Sequence, residues 1–159
     1  MPAKASSRRL QVARGYRRLL VPLDARTESV EALEIACRLA ADNGASITAV
    51  AVIEVPPLLP LDAHLADAEE TARRLLERAG VTGDAYGVRI RSRVVRARDV
   101  GAAIVEQAAA DRDELIVIGA GRSRLAISER RVAPDPLLHV LRGAPCRVMV
   151  VSGASREAA

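Results

Sequence analysis

Short β-branched and aliphatic runs alternate along this chain with longer segments of helical period, and that alternation restricts the fold more than any other feature. The runs are RLLVPLD (18–24), SITAVAVIEV (46–55), VRIRSRVV (88–95), LIVIG (115–119) and CRVMVV (146–151). Between the first two, Val30, Leu33, Cys37 and Ala40 recur at three- and four-residue spacing. That period predicts a helix over 29–43, with Thr27 or Ser29 as its cap and Gly44 as its left-handed stop. Pro56 and Pro57 end the second run, since proline cannot donate to a sheet ladder. From Leu61, the positions Leu65, Ala68, Ala72, Leu75, Leu76 and Ala79 form a second helical stripe, with Gly80 where a stop is expected. VRIRSRVV alternates apolar residues with arginine, as a half-exposed strand near a sheet edge would. Asp99 is placed to cap a third helix that turns Val100, Ala103, Ile104 and Ala108 inward, with Gln107 at the margin, and a short helix over 137–142 precedes the last run. Strand and helix in strict alternation predict an α/β fold: a parallel sheet between two helical layers, with any ligand at the carboxyl ends of the strands.

The chain has 159 residues, half of them apolar, but no Phe and no Trp, so Val, Ile, Leu and Ala must fill the core. That length suits one domain. Lys4, Arg8, Arg9, Arg14, Arg17 and Arg18 precede the first acid, and setting them aside takes the formal net charge from +4 to −2. The basicity is therefore concentrated in a tail. Residues 1–15 are expected to be a disordered basic tail, 16–152 the domain, and 153–159 a second tail. The N-terminal segment lacks the apolar stretch of a secretory signal, and no apolar run reaches the ~18–20 residues that span a bilayer. Without aromatic platforms for base stacking, nucleic acid is not an expected partner. Cys37 and Cys146 fall in a helical stripe and at the start of a strand, as small core residues would, and the spacing neither demands nor forbids a bridge. No Cys/His cluster suggests a metal, and His64 and His139 have no Ser or Cys spacing that would build a triad.

YRRLLVPLD, AVAVIEV, DELIVIGAG and APCRVMVV, in this order over residues 16–152, resemble the strands and closing signature of the universal stress protein family. VIEVPPLLPLDAHL and DVGAAIVEQA are most similar to the universal-stress domains at the C-terminal, cytoplasmic ends of membrane transporters, although this chain carries no membrane part. The resemblance implies a Rossmann-like, flavodoxin-like three-layer domain with strand order 3-2-1-4-5, cytoplasmic, and homodimeric through its last strand. It also implies a partner of transporter type as one option.

One branch of that family binds ATP through G-x-x-G, nine residues, then G-[S/T]. Such glycines let main-chain N–H groups approach phosphate oxygens at a helix start. Here Gly119 matches the first glycine, but Arg122 stands at the second unless one residue is deleted to bring Gly121 into place. Counted back from Ala144-Pro145-Cys146, the last glycine becomes Pro134 and the hydroxyl residue becomes Asp135, and the spacing is two residues too long. Proline has no N–H to offer and a carboxylate repels phosphate. Asp24 matches the acid that lies near the ribose in ATP-binding relatives, and Val52 matches a residue whose backbone meets the base. Asp24 is equally a turn residue and Val52 an ordinary core valine. Arg122, Arg124, Arg130 and Arg131 could grip a phosphate with side-chain forks, or be solvated charges offsetting Glu129 and Asp135. The expected function is a regulatory or ligand-sensing module that does no covalent chemistry. The alternative is an adenine-nucleotide-binding stress protein (ATP with Mg, AMP or a cyclic nucleotide) with weak or no ATPase activity. A dehydrogenase-type fingerprint is disfavoured, because Gly119-x-Gly121 lacks a third glycine and follows a late strand.

Overall fold

The computed structural model describes residues 15–121 and 135–153. Five strands, β1 (Arg18–Leu23), β2 (Ser46–Glu54), β3 (Ile90–Ala97), β4 (Leu115–Ala120) and β5 (Arg147–Ser152), alternate with four helices. The helices are α1 (Thr27–Asn43), α2 (Ala66–Tyr86), α3 (Val100–Asp111) and α4 (Pro136–Gly143). All described strand pairs are parallel and the order is β3-β2-β1-β4-β5, the flavodoxin-like arrangement.

The alternating side chains of the central strands divide the core into two layers. Leu19, Val21, Leu115 and Val117 pack with Leu33, Ala36, Cys37 and Ala40 of α1 and with Ala79 of α2. Leu20, Val50, Ile116 and Ile118 face the other way, onto Ile104 and Ala108 of α3 and Leu137 and Val140 of α4. Leu20, Val21, Val50, Ile116 and Val117 are wholly enclosed, which is why these strands read as continuous apolar runs. Both cysteines are free thiols. Burial, with Glu34 nearby, pushes the Cys37 thiol up to about 11, so it is an inert core residue.

Three local expectations are corrected. Neither Thr27 nor Ser29 caps α1; Arg26 occupies that position without a side-chain bond, and the Ser29 hydroxyl instead accepts from the Asp24 N–H at 3.0 Å. Val30 is 46% exposed, because α1 turns it toward solvent and packs Ala32, Leu33 and Ala36 inward. Gly80 does not stop α2. The helix starts at Ala66 and runs through it to Tyr86, ending where Gly87 adopts the left-handed φ of 67°. Gly83 permits that extension, since a methyl group there would meet Ile90 Cδ1 at 2.6 Å. Of the predicted tails 1–15 and 153–159, all but residues 15 and 153 lie outside the described residues, as do the loop arginines.

Candidate functional site

In the order β3-β2-β1-β4-β5 the chain leaves β1 toward β2 on one side and leaves β4 toward β5 on the other, so the connections from the tips of these neighbouring strands diverge and open a crevice. A cleft of ≈ 210 Å³ occupies that place. Asp24 reaches it from the tip of β1, Val52 and Glu54 from β2, Gly119 from β4, and Pro136 and Leu137 from the start of α4. A larger hollow of ≈ 720 Å³ lies between α1 and α2 and shares Leu23, Asp24 and Ser29 with this cleft, and one of ≈ 590 Å³ lies between α2 and β3. The cleft is the stronger candidate because it joins the tips of β1, β2 and β4 to the starts of α3 and α4 at the switch point.

Each wall has a local cause. The β1–α1 turn is tied by its own polar groups: Asp24 N–H donates to Ser29 Oγ, and Asp24 Oδ1 accepts from the Arg26 N–H at 2.9 Å. Asp24 is therefore a turn residue and a cleft residue at once. Val52 is half-buried against the α3 side of the core while also lining the cleft, so it too serves both roles. Gly119 is required by packing. A methyl group there would overlap the Glu28 carbonyl and lie 2.7 Å from Ser29 N, so the β4 tip and the start of α1 touch backbone to backbone.

The start of α4 carries its own carboxylate cap. Asp135 caps the helix, its Oδ1 accepting from the Leu137 N–H at 3.0 Å, and Pro136 has no N–H. A carboxylate thus sits where an incoming anion would seek a donor.

Of the six residues singled out in the sequence, Asp24, Val52 and Gly119 come together in the cleft. Asp135 stands beside it at the cap of α4, Gly121 follows β4 without lining it, and Arg122 lies outside the described residues. Sequence reasoning missed Ser29, Glu54 and Leu137. Glu54 was signalled by its place at the end of a strand run, whereas Ser29 and Leu137 read as cap and core. Among the described residues no group of three or more His, Cys, Asp and Glu is placed to hold a metal ion, and no helix is long and apolar enough to cross a membrane.

The model of the universal stress protein family matches residues 15–152. A universal stress protein of Methanocaldococcus jannaschii is 26% identical over 149 residues, covering 89% of this chain and 85% of that one. A solved universal stress family protein from Burkholderia pseudomallei aligns with a TM-score of 0.68 at 27% identity, over 86% of this chain and 96% of its own. The Archaeoglobus fulgidus universal stress protein, solved in complex with dAMP, aligns at 0.67 and 17%, covering 86% of this chain and 98% of that one. Two further fold neighbours were solved with cAMP and, from Arabidopsis thaliana, with AMP; they align at TM-scores of 0.64 and 0.63 and identities of 21% and 17%. They cover 86% and 90% of this chain and 96% of each of their own.

Proposed function

The chain belongs to the universal stress protein family, and from that premise we propose that it is a non-catalytic regulatory module which senses a small adenine-containing ligand in the strand-tip cleft. The observation that carries this is the convergence of Asp24, Val52 and Gly119 on one crevice at the switch point. Its apolar floor suits a base, and its polar edge at Asp24, Ser29 and Glu54 suits a sugar. Fold neighbours bound to AMP, dAMP and cAMP support the adenine assignment. Regulation without chemistry is supported by the side chains themselves. Among the described residues the cleft holds no nucleophile hydrogen-bonded to a base, and the start of α4 is already capped by Asp135.

The partners proposed are a second copy of this chain through β5, an edge strand carrying half-buried Val148, Met149 and Val150, and a protein of transporter type. For the latter, the loop after β2 supplies a surface. Leu58 is 97% exposed there, and the loop is held by Arg98, which donates to the Val55 and Pro56 carbonyls, and by Arg96, which donates to those of Leu61 and Ala63.

Thermal unfolding with a panel of adenine compounds tests the proposal. A ligand near a hundred times its Kd adds ~2.7 kcal/mol to stability, a rise of several degrees for a domain of this size. The expected result is a saturable rise with at least one adenine compound and no phosphate release from ATP with Mg. Steady ATP turnover that is lost on substituting cleft residues would replace this reading by the slow-ATPase one.

A further inference from the structure

β3 is an edge strand, and among the described residues its outer side pairs with no other strand. In a parallel ladder the main-chain groups of successive residues face opposite neighbours. Ile47 N–H donates to the Arg89 carbonyl at 3.1 Å and Val55 N–H to that of Ala97 at 2.8 Å, so the odd-numbered residues of β3 face β2. The main-chain groups of Ser92 and Val94 therefore face outward. Side chains alternate between the two layers in the same way. Ser92 and Val94 stand level with Ala49 and Ala51, on the α2 side, and line the hollow of ≈ 590 Å³ with Ile53 and Leu76. Val94 is 52% exposed there. The charges on the rim of this hollow are matched, Arg73 with Glu70 and Glu77, and Arg96 with Glu69. Arg91 and Arg93 stand level with Leu20 and Val50, on the α3 side, and Arg89 precedes them at the same two-residue period. All three are exposed. The acids that face them stand behind: Asp111, 3.9 Å from Arg93 and accepting from Gln107, has a side chain 17% exposed, and Asp113, near Arg91, is 7% exposed.

We propose that the outer edge of β3 is a docking strip for an extended acidic segment of a partner protein, in which apolar and carboxylate residues alternate and which joins the sheet as a further strand. Main-chain bonds to Ser92 and Val94 supply affinity, and the alternation supplies specificity. Apolar side chains of the segment enter the hollow over Ile53 and Leu76, while its carboxylates fall on the other face, against Arg91 and Arg93. Arginines on an edge strand discourage pairing with a copy of that strand. The same charges therefore turn away a second molecule of this chain and select a guest of opposite charge. The strip is at the far edge from β5 and contributes no residue to the strand-tip cleft, so it stands independently of the adenine reading.

A labelled synthetic peptide in which valine and glutamate alternate over the 8 residues of β3 tests this on the full chain, with lysine in place of glutamate as the control. The glutamate peptide should bind saturably, and more weakly as salt rises; the lysine peptide should bind about tenfold more weakly or not at all. Arg91→Gln combined with Arg93→Gln should weaken the glutamate peptide about threefold or more. Hydrogen exchange supplies a readout that loose adsorption would not move. The outward amides of Ser92 and Val94 should slow on docking, while those of Arg91, Arg93 and Val95, already bonded to β2, should stay unchanged. Ser92→Pro removes one outward donor without touching the β2 ladder and should abolish binding. Should that variant fail to fold, the arginine pair and the amide pattern decide alone. Equal affinity for the two peptides, affinity unmoved by the arginine variant, or slowing along 147–152 in place of Ser92 and Val94 would overturn the inference. So would no binding at all. A single-stranded oligonucleotide that displaces the peptide would assign the strip to nucleic acid and overturn it equally.

Discussion

Asp113, between α3 and β4, is 7% exposed, and its Oδ2 has no hydrogen-bond partner among the described residues. Burial, then the neighbouring Asp111 and Glu114, pushes its carboxyl up to about 6, against the pull of Arg18 and Arg91. The folded protein therefore holds this proton over a range in which the unfolded chain, titrating at 3.8, has released it. Stability contributed by the protonated form is fully present below pH 4 and is lost as pH rises through about 6, by roughly 2–3 kcal/mol. Asp113→Asn should flatten that slope and raise the urea midpoint at pH 8, which denaturation curves across pH would show. Nothing in the sequence marks Asp113 as buried, because a carboxylate between a helix and a strand ordinarily reads as a surface turn. Asp24 and Gly119 were legible for the opposite reason: each stands at the end of an apolar run, where the topology must place a strand tip. What spacing could not reveal is that Gly119 is demanded by contact with Glu28, a residue 91 positions earlier in the chain.

At the scale of elements, the periodicity located each strand and helix among the described residues, and their ends moved where caps and stops competed. α2 shows why. Gly80 resembles a stop by residue type, but stopping a helix requires a left-handed backbone, and only Gly87 adopts it there. Gly80 has open space around its Cα, so Gly80→Ala should stabilise the protein by about 0.5–1 kcal/mol, measured as a higher melting temperature. A loss of stability would mean that the chain breaks at Gly80 in solution. α3 begins where the sequence placed it, since Asp99 accepts from the Ala102 N–H. Capping by a single side chain is local chemistry and legible in sequence; helix length set by packing against β3 is not.

At the scale of the whole molecule, the two sheet edges differ in kind. β3 shows solvent Arg91, Ser92 and Arg93, charges that discourage pairing with another strand, whereas β5 offers Val148, Met149 and Val150. If a second copy pairs through β5, hydrogen exchange should slow along 147–152 as protein concentration rises and stay unchanged along 90–97. Equal behaviour of the two edges would dismiss that interface. The strand order was implied by the family resemblance, and the cleft by strand order alone, while the meeting of Asp24, Ser29 and Glu54 in it emerges only when the ends of β1 and β2 are seen side by side. The core that supports them is aliphatic throughout, with Tyr16 and Tyr86 at its margin as the chain's only aromatic rings. The purified protein is therefore almost transparent at 280 nm and has no indole emission. A purine retained in the crevice through chromatography would dominate the ultraviolet spectrum, and occupancy could be read from an absorbance ratio without label or dye.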